Sequence, residues 1–221
     1  MFADGRNCSN VVESKKAKKG YAMKTYEGIS MLTPADNVPG PEQGHWTYDS
    51  YAALPDDGKR YEILDGVLYM ASPSPSGWHQ KSVIRLSHYL FDVVELSGHG
   101  QVFVAPFDVE LSPGTIVQPD VVVLLNKSSE KYVVSRIIGG PDLVIEVISP
   151  GNAAADRIEK YNAYAQAGVK EYWIVEPIKH TVEVFILGED GYHALGVFSG
   201  EQTLPSMVIP DFSVPVEQFF A

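Results

Sequence analysis

Two acidic residues stand in apolar segments of this chain, where an unpaired charge is costly to bury. Glu146 lies in the middle of the run 143–148, and Asp120 opens the run 120–125. Runs of this kind predict short strands that are covered on both faces of a sheet. A carboxylate placed there must shift its pKa, pair with a cation or bind a metal. Two such strands, each with one acid, are the first indication of a metal site.

A lysine stands where it could join the two acids. Asp156, Lys160 and Tyr164 are four residues apart, so on a helix they line one face. A strand followed by such a helix could return the Lys160 ammonium to Glu146, and Asp120 on the adjacent strand would complete an acid, acid, lysine cluster. The spacing alone leaves open a second interpretation, in which Glu146 and Lys160 form a buried structural ion pair.

The cluster suits metal-assisted hydrolysis of a phosphate ester. Two carboxylates with backbone and water ligands suit Mg²⁺, for which Mn²⁺ can substitute. The metal neutralises a phosphate and lowers the pKa of a bound water, while a nearby lysine orients or deprotonates that water and offsets charge in the transition state. Two carboxylates and a lysine are therefore residue types that allow metal-assisted hydrolysis.

Composition limits the classes of protein to consider. The chain has 221 residues, 45% of them hydrophobic, which is enough for one domain with a sizeable core. Its formal net charge of -11 argues against loose, charge-driven coating of DNA. The only cysteine is Cys8, which excludes a disulfide framework and a cysteine-based zinc site. No apolar run is long enough to span a bilayer. We therefore expect a soluble, cytoplasmic protein without a membrane partner.

The predicted elements form a single α/β domain over residues 46–221. Residues 1–45, with the basic run 15–19 and a segment rich in proline and glycine, are expected to be an irregular, mobile leader, although a basic arm that touches nucleic acid is an alternative. A short helix over 47–54 precedes Asp65-Gly66, which predicts a hairpin between strands 61–64 and 67–70.

The remaining elements are inferred from periodicity and from turn residues. A long helix is predicted over 77–97, ended by Gly98, and a second helix after Pro150, with Asn152 as N-cap and Gly168 at its end. The predicted strands after the first helix are 101–111, 117–125, 142–148, 171–175, 182–187 and 192–198. The closing run 204–220 is expected to wrap the surface. The central order is therefore helix, three strands, helix, strand.

That order and its acids resemble a known nuclease core. Pro119-Asp120 followed by 146–150 resembles the PD-(D/E)XK nuclease motif, whose core has the same order of elements. More closely, the chain resembles the Uma-two family of restriction-endonuclease-like proteins from about residue 46 to 220. The matching pieces are 61–66, His79, Pro119-Asp120, 144–150, Asp156-Arg157, Lys160-Tyr161, Gly168-Val169 and 171–175.

The resemblance implies roles for particular residues. Asp120 and Glu146 would be metal ligands. The lysine of the standard motif comes two residues after the acid, where this chain has Ile148, so the resemblance implies that Lys160 takes that role from the following helix. Glu62, whose strand neighbours face the other way, could add a ligand or orient a water; an exposed hairpin glutamate is the alternative. His79 stands at a helix start, where the dipole disfavours a cation, so a neutral imidazole is expected; a simple loop contact is the alternative.

The predicted function is Mg²⁺-dependent hydrolysis of phosphodiester bonds in DNA, by a restriction-endonuclease-like domain for which dimers are usual. The competing interpretation is a non-catalytic relative that binds nucleic acid or a protein, and the net charge favours it. On the long helix, Trp78 could stack on a base and Lys81 and Arg85 could contact phosphate. A loop anchor and a solvated face are the alternatives for these residues.

Overall fold

The computed structural model describes residues 34–70, 76–148, 159–209 and 211–221. These residues form two six-stranded sheets and a small number of helices. The α-helices are α1 (Tyr48–Ala52), α2 (Gly77–Leu90) and α3 (Tyr161–Gln166). A π-helical segment, Phe91–Leu96, continues α2, and 3-10 helices span Asn126–Lys131 and Val216–Phe219. No helix in the described part of the chain is long and apolar enough to cross a membrane.

The strands of the first sheet are β1 (Tyr61–Leu64), β2 (Val67–Met70), β4 (Asp108–Ser112), β5 (Thr115–Val117), β7 (Tyr132–Val133) and β8 (Arg136–Ile138). Those of the second are β3 (Gly100–Val104), β6 (Val121–Leu125), β9 (Leu143–Val147), β10 (Glu171–Glu176), β11 (Thr181–Gly188) and β12 (Gly191–Ser199). The first sheet has the strand order β2-β1-β5-β4-β8-β7, and the second has the order β12-β11-β10-β9-β6-β3.

The second sheet carries the predicted core order. Helix α2 is followed by β3, β6 and β9, then by α3 and β10, which confirms helix, three strands, helix, strand. Strands β3, β6 and β9 pair antiparallel, whereas β10 runs parallel to β9. A parallel pair needs a crossover, and α3 lies on it. Residues 149–158, which include Asn152 and Asp156, lie outside the described residues.

The hairpin over Asp65-Gly66 is confirmed. Leu64 pairs with Val67, and the two turn residues have φ values of 50° and 77°. Positive φ at both positions is the geometry that matches the twist of hairpin strands, and Asp-Gly adopts it readily. A Cβ on Gly66 would lie 2.4 Å from the carbonyl oxygen of Gly44, so the position also requires glycine for space. The hairpin is therefore determined locally.

Alternation along the strands of the second sheet divides its side chains between two layers. Val121 and Val123 face α2 together with Leu86 of that helix, in one apolar cluster. Val122 and Val144 face the first sheet and α3, in another. Because successive strand residues point to opposite faces, Glu146 points the same way as Val144. The acid of β9 therefore points into the layer between the sheets and α3.

Three predictions about the elements were wrong in detail. The predicted strand 101–111 is two strands in different sheets, β3 and β4, because Pro106 between them has no N–H to donate to a ladder. The predicted strand 117–125 divides in the same way, so the chain changes sheets just before Asp120. The closing run 204–220 does not wrap the surface. Phe212, Val216 and Phe219 are buried against the α2 face of the second sheet, because the apolar side chains on that face would otherwise be exposed to water.

The domain boundary at residue 46 remains a prediction, but the described end of the leader contacts the hairpin. Ala35 N donates to the carbonyl oxygen of Leu68, and Leu68 N donates to Gln43 Oε1 at 2.8 Å. Residues 34–44 contain no helix or extended strand. They therefore support the strand pair that carries Glu62.

Candidate active site

The Lys160 side chain lies between two carboxylates. Its Nζ is 3.0 Å from Glu62 Oε1 and 3.1 Å from Glu146 Oε1. The three side chains are buried, with 7% of Lys160, 7% of Glu62 and 4% of Glu146 exposed. Glu62 comes from β1 of the first sheet, Glu146 from β9 of the second, and Lys160 from the helical residue that directly precedes α3. The cluster joins both sheets to that helix, and Glu62 is not an exposed hairpin residue.

Tyr164 contacts the same carboxylate one helical turn further on. Its hydroxyl donates to Glu146 Oε1 at 2.6 Å, the oxygen that also accepts from Lys160. Burial, and after it the negative charge of Glu146, raises the pKa of Tyr164 well above its ordinary value. The hydroxyl is therefore a fixed donor to Glu146. Tyr164 was not among the predicted site residues, although its four-residue spacing from Lys160 is the signal that places it there.

Glu62 also anchors the segment that leads to Asp120. Its Oε1 accepts from the backbone N–H of Gln118 at 2.8 Å. The Gln118 side chain in turn donates to Asp108 Oδ1 at 2.9 Å and to the hydroxyl of Tyr51 at 3.2 Å. Because the chain passes from β5 to β6 here, these bonds fix the point at which Asp120 enters the second sheet.

Asp120 lies across from Glu146. Val121 pairs with Ile145 in the antiparallel register of β6 and β9, so the next residues outward are Asp120 and Glu146. Residues that stand opposite one another in such a pair point to the same face. Asp120 Oδ2 accepts from Val147 N at 2.8 Å. No residue in the described ranges donates to the other oxygen, Oδ1.

His79 is the second partner of Asp120. Its Nε2 lies 3.2 Å from Asp120 Oδ2, at the start of α2, where Ser76 Oγ accepts from the His79 backbone N–H. A proton on Nε2 is the tautomer that gives this carboxylate a hydrogen bond. Its Nδ1 is buried and has no partner among the described residues. His79 therefore makes more than a loop contact, while its neutral state stays a prediction.

The predicted residues thus form two adjacent groups, one of Glu62, Glu146 and Lys160 and one of Asp120 and His79. Strand register and the backbone of Val147 link them. Their catalytic and metal-binding roles stay predictions. In the part of the chain that the structure describes, no three histidine, cysteine or acidic residues are grouped as metal ligands.

Glu159 is a further acid beside the cluster that the sequence analysis missed. Its Oε2 is buried without a partner among the described residues, and burial raises the pKa of its carboxyl. Burial, and after it the charge of Glu159, raises the pKa of Tyr69 on the hairpin. Glu159 therefore lies near the face of the hairpin. No spacing in the sequence distinguishes it from a solvated helix residue.

Comparisons with known proteins agree with this fold. The family model Uma2, described as "Putative restriction endonuclease", matches residues 48–217. A solved structure, "Crystal structure of a putative nuclease belonging to DUF820" from Anabaena variabilis ATCC 29413, is similar with a TM-score of 0.66 and 19% identity, over 79% of this chain and 97% of that one. At that identity the likeness shows a shared fold, which is restriction-endonuclease-like. A search of the curated proteins found no match. The family model covers most of the chain, and the chain therefore belongs to the Uma2 family.

Proposed function

We propose that this protein is a metal-dependent nuclease that hydrolyses phosphodiester bonds in DNA. The observation that carries the proposal is the buried Lys160 ammonium, held by carboxylates of both sheets next to the Asp120–Glu146 pair. A nuclease needs oxygen ligands for a cation and a positive group near the attacked phosphate. Membership of a family described as "Putative restriction endonuclease" supports the same reaction class.

The donor set fits Mg²⁺. This ion usually binds through one or two carboxylates and completes its shell with waters and substrate phosphates. Asp120, directly before β6, and Glu146 on the adjacent strand β9 supply two carboxylates, and Oδ1 of Asp120 accepts no hydrogen bond from the described residues. When bound, Mg²⁺ would neutralise a phosphate and lower the pKa of a coordinated water.

The chain's own residues would then have distinct tasks. Lys160, bonded to two carboxylates, acts as a hydrogen-bond donor and positive charge beside the reacting phosphate. Glu62 holds the ammonium in place from the first sheet. Tyr164 donates to Glu146 Oε1 and so fixes the orientation of that carboxylate. His79 does the same for Asp120 through Oδ2. Each side chain is held by partners on another element, which limits its movement during the reaction.

The second candidate is a non-catalytic relative of the same fold, which uses the cleft to bind nucleic acid or a protein partner. The closed Lys160 cluster favours it, since the ammonium already has two carboxylate partners, as a structural ion cluster would. The net charge of -11 favours it too. A homodimer, usual for this fold, is a proposal under either candidate.

Cleavage assays with two matched variants test the first candidate. Supercoiled, linear duplex and single-stranded DNA are incubated with Mg²⁺, Mn²⁺ or EDTA. We expect metal-dependent cleavage that falls by orders of magnitude in Asp120→Asn, together with a metal-induced rise in Tm that this variant loses. The control is Asp142→Asn, which changes a buried acid directly before β9 that accepts hydrogen bonds from Lys170 and from Leu125 N.

The control should be less stable than wild type and should keep both metal responses. Wild-type protein that cleaves none of the substrates, and whose Tm does not respond to either metal, would refute the nuclease proposal. A Tm response without cleavage would favour the non-catalytic candidate.

A further inference from the structure

The surface of α2 carries positive charge, although the chain as a whole is acidic. The protein has 28 acidic residues and a net charge of -11, yet no Asp or Glu occurs between Asp65 and Asp92. Helix α2 lies in this interval and carries Lys81 and Arg85. Neither side chain forms an ion pair with a carboxylate in the described part of the chain. Among those residues, no carboxylate therefore offsets their positive charge.

An exposed tryptophan lies on the same face of this helix. At 3.6 residues per turn, Trp78, Lys81 and Arg85 fall within an arc of about 60°. Trp78 is 60% exposed, so it does not serve as the buried loop anchor that the sequence analysis considered. Lys81 Nζ stands 5.7 Å from the centre of its ring, within the range of a cation–π contact. We call Trp78, Lys81 and Arg85 the α2 stripe.

The α2 stripe begins at the candidate active site. Trp78 directly precedes His79, whose Nε2 lies 3.2 Å from Asp120. From Trp78 to Arg85 the helix rises about 10 Å, at about 1.5 Å per residue. In a duplex, the nucleotides of one strand advance about 3.4 Å each along the axis, so a length of about 10 Å is sufficient for a short segment of one strand.

We propose that the α2 stripe binds an unpaired nucleic-acid strand, with a base stacked on Trp78 and phosphates on Lys81 and Arg85, and leads that strand to Asp120. What happens to the strand there rests on the proposed nuclease function. An indole face accepts any base that is free of its own stack, whereas the bases of an intact duplex are stacked on one another. The net charge of -11 disfavours non-specific binding of phosphates away from this face.

Binding in EDTA tests the inference without any catalytic step. Trp46 is 1% exposed and Trp173 is fully buried, so quenching of tryptophan fluorescence by a stacked base reports on Trp78. The probes are a short single-stranded DNA, an RNA of the same length, the same DNA strand without bases, and the duplex. We expect quenching by the two strands that carry bases, and weak or no quenching by the base-free strand and the duplex.

Matched variants then separate stacking from charge, with Kd measured by anisotropy of a labelled strand. Trp78→Ala should weaken single-strand binding about 5- to 150-fold, and Trp78→Phe should recover most of it. Lys81→Ala and Arg85→Ala should each reduce the magnitude of the negative slope of log K against log salt by about 0.7. The controls are Leu96→Ala, which is 71% exposed, and Lys127→Ala in the 3-10 helix that follows β6, and neither should change Kd.

Several outcomes would overturn the inference: a base-free strand that binds as tightly as DNA, a duplex that binds more tightly than the single strand, or Trp78→Ala behaving like Leu96→Ala. Capture of a protein by the α2 stripe, with no single-strand binding, would also overturn it. If wild type and Trp78→Ala cleave DNA at the same rate, this inference is overturned and the proposed function stays intact. Trp78-dependent binding without metal-dependent cleavage would support the inference and refute the nuclease.

Discussion

Replacing Lys160 by methionine is the sharpest test of how the site is held together. The substitution removes the ammonium and keeps an unbranched side chain of similar length in a buried position. It leaves Glu62 and Glu146 facing one another. Their Oε1 atoms both lie near the same nitrogen, at 3.0 and 3.1 Å, so they are at most about 6 Å apart. Two negative charges at about 6 Å repel by about 3 kcal/mol at an effective dielectric constant of about 20.

That repulsion agrees with what is known of buried pairs, for which the loss of one partner costs about 3 to 5 kcal/mol. For a domain of this size, such a loss lowers Tm by roughly 6 to 20 °C. The assay is urea unfolding at neutral pH without metal. Lys179→Met is the control, because Lys179 pairs with Glu176 at the surface with 68% of its side chain exposed. The control should change the free energy of unfolding by about 1 kcal/mol or less.

A second substitution shows whether repulsion is the cause. In Lys160→Met/Glu62→Gln one of the two facing charges is gone, so we expect part of the lost stability to return. If Lys160→Met costs no more than Lys179→Met, the ammonium is not needed to offset the two carboxylates, and the electrostatic account of the site is wrong. If the double variant is less stable than the single one, packing rather than charge decides the loss.

Two further predictions concern residues that the sequence analysis had not placed in the site. Tyr164→Phe removes the donor to Glu146 Oε1 and should lower the free energy of unfolding by about 1.5 to 3 kcal/mol, the range for hydrogen bonds to charged groups. The control is Tyr89→Phe, because the exposed Tyr89 hydroxyl bonds Gln218 at 3.4 Å. The control should lower the free energy of unfolding by less than about 1 kcal/mol in the same urea assay. Glu159 has a pKa raised by burial, so the folded state holds its proton to higher pH than the unfolded state does, and its contribution to stability is lost as pH rises through the folded pKa. Glu159→Gln should therefore lose less stability than wild type between about pH 4.3 and neutral pH, and parallel unfolding profiles of the two proteins would contradict the assignment.

Local signals in the sequence were sufficient for the elements on which the site is built. Asp65-Gly66 predicts the hairpin that carries Glu62, because turn geometry depends only on the residues in the turn. The apolar run around Glu146 predicts a buried strand, since alternation and side-chain type are properties of the segment itself. The four-residue spacing of Lys160 and Tyr164 places both on one helical face, although the second was not recognised as a partner of Glu146.

Tertiary structure alone decided which of these elements meet. Lys160 contacts Glu62 across 98 residues of chain, and no periodicity carries information over that distance. The chain changes sheets between β3 and β4 and again before Asp120, and only the pairing of strands reveals the change. The closing run looks like surface in sequence, yet Phe212 and Phe219 are buried because the α2 face of the second sheet needs a cover. Residue types determined what chemistry was available, and the packing of two sheets against α3 determined which charges share one buried cluster.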